Sequence, residues 1–478
     1  MRSNSTLYTS TLRRGAVLCQ LLQAPYSSSN LPTTLTFTEE QVRALVTDAG
    51  SLKRGQELAA PAKWANLGQT ATEAWGECAG SGSKPYQTGI DLTEPAFKCS
   101  CPSRVFPCKH GVGLLLLMTR QPGLLAAGSP PVWLAEWLTK RQSRQQETQE
   151  KKVAKADSPP ADPASRAKRE GQRLERMTRS AQELEAWLLD LMRAGLASLD
   201  KQPNSYWENQ AARLVDGQLP GLAATVRELS GLRHTGPDWA ERLLARLGEL
   251  YLLIRSFQNL PHLAPEARQE VLQQVGVPPK KEELLRSSTP IHDTWDVAGQ
   301  FSWEEQRLMG RRTWLRGRAT QRYALVLEFA FSGQPFATSL VPNSSYEGAL
   351  MFYPGLLPLR ATPVQLTLLG TSVGTLPAQA INALLEEYAQ ALSQNPWLRE
   401  WPAFISPALP VQLPNEAWGF QHPDTTVQLP LECTPTEAWQ MLAIGGGRPL
   451  TLFGEWNGRA FRPLTYWPLP DHSAAACR

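Results

Sequence analysis

The sequence predicts a multidomain α+β protein: a small module of short strands and a helix, a helical middle region, and a β-rich α+β C-terminal domain. Length is the first reason, since 478 residues at about 150 per domain suggest about three domains. The second is a change of apolar period, from helical stripes in mid-chain to strand-like runs after Val277-Pro-Pro. The third is a group of cysteines within ten residues, Cys99, Cys101 and Cys108, which marks a compact unit.

Composition narrows the class. Hydrophobic residues make up 42% and charged residues 19%, which excludes a wholly disordered chain and an all-helical coiled coil. The 48 Lys and Arg against 44 Asp and Glu leave a net charge of only +4, too small for a histone-like binder. No window reaches the ~18 consecutive apolar residues of a membrane span, so a soluble protein with no membrane partner is expected. The other four cysteines (Cys19, Cys78, Cys433 and Cys477) are scattered. That is no secreted disulfide framework, and it points to a reducing, cytoplasmic location.

Residues 1–33 read as a disordered extension, or as the product of a start codon placed too early. Gln20 and Gln23 interrupt the apolar stretch that a secretion signal needs unbroken. Residues 34–139 form the first ordered module. Thr38-Glu-Glu-Gln41 is a capping-box pattern ahead of Val42, Leu45 and Val46. Trp75 to Cys101 reads as two short strands around Tyr86, Ile90 and Leu92, and Val132 to Leu138 as a short helix. Residues 140–179 read as a basic flexible linker. Its twelve basic and six acidic residues give a local +6, which leaves −2 for the rest of the chain.

Residues 180–279 form the helical region. Ser180-Ala-Gln-Glu183 is a second capping-box pattern, followed by Leu184, Trp187, Leu188 and Leu191 at helical spacing. Asp238 and Glu241 open a helix carrying Leu243, Leu247, Leu250 and Ile254, and stripes of this width pack into a bundle. Residues 280–478 hold nine of the sixteen Trp. Here Tyr323–Phe331, Ala349–Tyr353, Val364–Leu369, Leu450–Trp456 and Ala460–Trp467 read as strands. Ala378–Leu392 and Thr436–Ala443 read as helices, the second with Thr434 as cap and Pro435 in its first turn.

The chemistry lies in Phe97-Lys-Cys99-Ser-Cys101-Pro-Ser-Arg-Val-Phe-Pro-Cys108-Lys-His110. Three thiols and one imidazole suit a tetrahedral Zn²⁺ site. Cys99 and Cys101, two apart on an extended segment, share one face. Cys108 and His110 are also two apart and precede an apolar run that reads as a helix. Four protein ligands leave no position for water or substrate, so one structural zinc is expected and no catalytic residue is assigned.

The pattern Cys-x-Cys followed by Cys-x-His resembles the SWIM zinc finger. Gly80 to Tyr86 and Ile90-Asp-Leu92 are similar to that family's strand region. Cys108-Lys-His110 running into Leu114–Met118 is similar to its helix start. The gap of six residues between the two pairs is short for the family, and the resemblance covers about residues 72–120. It implies a small ββα fold and a role in binding DNA or protein. For stand-alone bacterial forms it implies a protein partner, such as an ATPase complex.

Other chemistries lack their residues. No G-x-x-x-x-G-K-[ST] stretch exists to cradle phosphates, and Gly445-Gly-Gly-Arg448 reads as a turn. G-x-S-x-G is missing, and no second cysteine cluster exists to make a RING. His234, His262, His292 and His422 read as loop residues, and Cys78 as a buried thiol. The Trp-rich third reads as packed core, and Arg311, Arg312, Arg316, Arg318 and Arg322 as a solvated face. The expected function is a non-enzymatic zinc-binding protein whose finger mediates protein or nucleic-acid interaction. Nucleic-acid contact is expected to be weak and nonspecific, because Lys and Arg of the linker reach phosphates without reading bases. The alternative is an enzyme of unrecognised type with its site in the C-terminal domain.

Overall fold

The computed structural model describes residues 37–469, apart from 47, 81–83, 104, 144–162, 234, 237, 306–307, 332–333, 335, 373–378 and 415. The extension expected at 1–33, His234 and most of the first half of the expected linker lie outside the described residues. No helix among the described residues is long and apolar enough to cross a membrane.

The first helix starts at the cap that the sequence marks. Helix α1 (Glu39–Leu45) has the reciprocal capping box: the Thr38 hydroxyl accepts from the Gln41 amide, and the Gln41 side chain accepts from the Thr38 amide. Helix α2 (Ala49–Leu58) is capped by the Asp48 carboxylate. There follow β1 (Trp64–Gln69), β2 (Glu73–Cys78), β3 (Tyr86–Asp91), β4 (Ala96–Cys99), α3 (Lys109–Arg120), β5 (Ala126–Ala127) and α4 (132–143). Strands β3 and β4 with α3 make the expected ββα unit, and β2, β1 and β5 extend its sheet in the order β4-β3-β2-β1-β5. Helices α2 and α3 cross at glycines. A Cβ on Gly55 would lie 2.5 Å from Val112 Cγ1, and one on Gly113 would lie 2.9 Å from Leu58 Cβ. Only hydrogen at these positions permits the approach.

The middle region is a helical bundle of α5 (Pro163–Ala194), α6 (Asn204–Asp216), α7 (Pro220–Leu232), α8 (Trp239–Gln258) and α9 (Pro265–Gln274), with α10 (Lys281–Ser287) leading out of it. Its core includes Leu184, Trp207, Leu222, Val226, Leu247 and Ile254. Two expectations are corrected here. Residues 163–179 belong to α5 and not to a flexible linker, and Ser180 therefore lies inside a helix and caps nothing. The upstream sequence has five Arg among residues 163–179, with Ala, Glu, Lys and Gln, and these propagate a helix back to Pro163.

Residues 280–478 contain two β units. Strands β6 (Ile291–Glu305), β7 (Leu308–Gly317), β8 (Tyr323–Phe331), β9 (Ser344–Phe352) and β10 (Arg360–Thr371) close a barrel in the order β10-β8-β7-β6-β9. After it come α11 (Ile381–Gln394), β11 (Trp401–Gln412), β12 (Trp418–Gln421), β13 (Gln428–Pro430), α12 (Pro435–Gly445), β14 (Leu450–Trp456) and β15 (Phe461–Pro468). These strands form a sheet in the order β13-β12-β11-β14-β15. Thr434 caps α12 in a full box with Glu437, and Pro435 occupies the first turn as expected.

The barrel holds the cysteine-bearing module in place. Ile90, Val112 and Leu116 of the module belong to one continuous apolar core with Trp295, Val326 and Leu350 of the barrel. The buried Gln41 amide donates to Pro342 O at 3.2 Å, Asn343 O at 3.1 Å and the Ser344 hydroxyl at 2.8 Å. Ser339 donates to Pro95 O at 3.1 Å, beside the strand that carries Cys99. The module is thus seated on a scaffold, and a change in it is felt by the barrel.

The arginine run is corrected as well. Arg311 is only 7% exposed and pairs with Glu328 at 2.7 Å, while Arg312 bridges to Glu400 and Glu455 of the C-terminal sheet. Arg318 is held by Asp296 at 2.8 Å. Alternation along β7 sends Arg311 and Arg312 to opposite faces, and each meets a carboxylate there. Arg316 donates to the Gln321 side chain and Arg322 lies over the Phe352 ring, so the run is held by ion pairs, an amide and an aromatic ring and is not a solvated face.

Candidate metal centre

All four residues singled out by spacing come together. Cys99 is the last residue of β4, Cys101 follows the strand, Cys108 is the N-cap of α3 and His110 is its second residue. Their ligand atoms all lie within 4.8 Å of one another. The hairpin supplies one pair and the helix start the other. Cys108 is buried and His110 is only 3% exposed, whereas Cys99 and Cys101 are half-buried.

Neighbouring side chains fix the geometry. Thr88, paired with Cys99 across the β3–β4 hairpin, places its hydroxyl 3.4 Å from Cys99 Sγ. The Tyr86 ring lies 4.7 Å from the His110 ring, centroid to centroid, and orients it. Gly111 lets α3 approach the sheet, since a Cβ there would lie 2.8 Å from Phe97 Cδ1. Thr88 escaped sequence reasoning, although it alternates with Tyr86 and Ile90 on the same strand.

The donor set fits a metal ion. Cys99 Sγ lies 3.7 Å from His110 Nδ1. Two such ligands bound tetrahedrally to Zn²⁺, at bond lengths of about 2.3 and 2.1 Å, are roughly 3.6 Å apart. The charges agree with this. A hydrogen bond from the Cys108 thiol is the largest influence on Cys99; it outweighs burial and, with His110 and Thr88, brings the Cys99 thiol down to about 3. Cys108 is pushed up by sharing its proton with Cys99 and by burial, and Cys101 is pushed up chiefly by burial. Without metal the three thiols therefore share protons, and Cys99 gives up its own most readily.

This charge state makes metal affinity depend on pH. Cys99 is already ionised through neutral pH, but Cys101 and Cys108 must each release a proton to bind. Protons therefore compete with the ion, and affinity falls as pH falls. Between pH 6 and 8 the apparent log affinity is expected to rise by about two per pH unit. Competition with a chromophoric chelator measures that slope, and a flat profile would show that the two thiols are not ligands.

The remaining candidates stay apart from this centre. Cys78 is fully buried, as expected, and burial pushes its thiol up. His292 was expected in a loop but lies on β6, and the carboxylate of its neighbour Asp293 accepts from the amides of Ala319 and Thr320 and from the Thr320 hydroxyl, which anchors the turn after β7. His422 accepts from the Asp424 amide in the connection between β12 and β13. Gly446 has φ 58° and terminates α12, so the glycine run is a turn.

Comparison with known proteins adds one finding. The model of a SWIM-associated four-helix bundle domain matches residues 172–275. That span begins inside α5 and ends just after α9, so it covers the helical bundle and not the Cys/His module. It suggests a SWIM-family protein independently of the four ligands. No curated protein and no solved structure matches the chain.

Proposed function

We propose that Cys99, Cys101, Cys108 and His110 hold one structural zinc ion in a SWIM-type finger, and that the chain is a non-enzymatic, cytoplasmic interaction protein. The assembled Cys₃His set carries this reading, because four protein ligands leave the ion no open position for chemistry. The match at 172–275 supports the family from a second part of the chain. The ion's work is to cross-link the hairpin to the helix start and so shape the loop between the ligand pairs. That loop presents Phe106, 42% exposed, and the exposed Lys98 and Lys109 bracket it in the sequence. An apolar side chain flanked by two cations fits an acidic, partly apolar protein surface, such as a subunit of an ATPase complex. Nucleic acid is bound only weakly there, since a few lysines reach phosphates and read no base.

Pull-down with the full chain followed by mass spectrometry tests the reading. A partner retained by the wild type is expected to be lost from Phe106→Ala, whose zinc content is unchanged, and from Cys101→Ala, whose zinc is gone. An unchanged partner set in both variants would defeat it. So would robust turnover in a hydrolase and nucleotide panel that a point mutation in the C-terminal sheet destroys.

A further inference from the structure

Helix α5 is longer than the bundle it belongs to. Its buried side chains begin at Met177 and continue through Ala181, Leu184, Leu188 and Leu191. Residues 168–176, nine in a row, are all exposed. A helix packed along one side buries every third or fourth residue, so these turns have no neighbour among the described residues. A Cβ added at Gly171 would likewise meet nothing within 4 Å. These turns carry no apolar stripe either: Leu174 stands alone, 51% exposed. A helix this short is marginal in water by itself, because its nucleus is costly. Here the packed turns from Met177 onward supply the nucleus, and Lys, Arg, Gln and Glu extend it. The result is a solvated helical arm of about 14 Å, at about 1.5 Å per residue.

Charge on the arm is lopsided. Residues 168–179 hold five cations (Lys168, Arg169, Arg173, Arg176 and Arg179) against Glu170 and Glu175, a net +3. At about 100° per residue, Lys168, Gln172, Arg176 and Arg179 fall within one sector of about 80°. Met177, Leu184 and Leu188 lie about 120–160° from its centre, so the sector faces away from the bundle. Glu175 borders it on one side, and Glu170 lies on the bundle side of the helix. Arg169 and Glu170 are engaged with partners of their own, whereas Lys168, Arg176 and Arg179 pair with no described residue.

Shape and charge together name the occupant. A protein interface is anchored by apolar or aromatic side chains at its centre, and this sector has none. A lipid surface needs an apolar face beside the cations, and Leu174 alone does not make one. Duplex DNA needs neither. It offers one negative charge per about 1.7 Å of axis, so the rise from Lys168 to Arg179 runs beside about ten phosphates. A bare helix about 10–12 Å across also suits the mouth of a major groove about 12 Å wide. Glu170 and Glu175 keep the arm from sinking to the bases, which leaves contacts to phosphates that read no sequence.

We propose that the solvated arm of α5 docks on the phosphate backbone of double-stranded DNA through Lys168, Arg176 and Arg179. The contact is sequence-independent and stands without the Cys/His centre. The test is fluorescence anisotropy of a labelled duplex of about 20 base pairs with the full chain, between about 25 and 200 mM salt. Three contacts give the wild type a log–log salt slope at least as steep as about −2.7. Lys168→Gln/Arg176→Gln/Arg179→Gln is expected to flatten that slope by about 2.7 and to bind more than about 10-fold more weakly at about 50 mM salt. Gln keeps the helix and the three side chains are exposed, so circular dichroism and the thermal transition should not move. Cys101→Ala, which loses the metal, is expected to keep the wild-type slope, so failure of the finger and failure of the arm read differently. No binding by the wild type at about 25 mM salt, an unchanged slope in the triple variant, or loss of binding in Cys101→Ala overturns the proposal. An acidic protein lost from the triple variant, when the wild type binds no duplex, also overturns it and assigns the arm to that protein.

Discussion

Cys108→Ala is expected to leave the chain without bound metal and to unfold the ligand end of the module. Elemental analysis of the wild type should give one zinc per chain, and of this variant none. Structural zinc in finger peptides binds with roughly 10–16 kcal/mol, and in such peptides that energy is the folding energy. Here α3 and the sheet share an apolar core with the barrel, so part of the module stands without the ion. The expected loss is therefore local. Amide exchange should accelerate in β3, β4 and the first turn of α3, while Leu114 to Leu117, which are fully buried, stay protected. His110→Ala and Cys101→Ala are expected to behave alike. Cys78→Ala is the control: its thiol is buried next to the module's core but is not one of the four, so its metal stays. Global unfolding of Cys108→Ala would show that the ion supports the barrel too. Retained zinc in any of the ligand variants would remove that residue from the site.

The metal centre was legible because it is local. Four ligands within twelve residues need only a hairpin and a helix start, and both follow from nearby spacing. The caps at Thr38 and Thr434 were legible for the same reason. Ser180 carried the same signature and misled, since a capping box is recognised only if the helix ends there, and the residues before it also favour helix. β7 was hidden by its arginines. A strand containing Arg311, Arg312 and Arg316 reads as a solvated run until the acids arrive from elsewhere: Glu328 on β8, Glu400 before β11 and Glu455 on β14. β6 was hidden too, because it changes partner along its length. Its first residues pair with β9 and its later ones with β7, and a bulge between Val297 and Gly299 interrupts its alternation. Such contacts lie 17 to 143 residues apart in the chain, and no local pattern announces them.

Glu455→Ala is expected to cost about 3–5 kcal/mol, the range for removing one partner of a buried ion pair. Glu455 is 2% exposed on β14, at the seam between the C-terminal sheet and the barrel. Its carboxylate accepts from Trp314 Nε1 at 2.7 Å and from Arg312 Nη2 at 2.8 Å. Alanine leaves an indole N–H and one arm of a guanidinium without an acceptor, where water does not reach. The intact pair is still not a large net stabiliser. Burial pushes the Glu455 carboxyl above its ordinary 4.5, and Arg312 and Trp314 pull it back only in part. For an acid with a raised folded value, its stabilising contribution is complete below the unfolded value and is lost as pH rises through the folded one. Stability of the wild type should thus fall between about pH 4.5 and the folded value, relative to Glu455→Gln, which cannot ionise. The two costs separate in a double-mutant cycle. Arg312→Leu/Glu455→Leu removes both charges and is expected to recover much of the loss seen in Glu455→Ala, even though Trp314 still lacks its acceptor. Urea unfolding of the wild type, Arg312→Leu, Glu455→Leu and the double variant measures the coupling. Losses that simply add would mean that Arg312 and Glu455 do not depend on each other, and that the seam is held by Phe404, Phe453 and Trp467 alone.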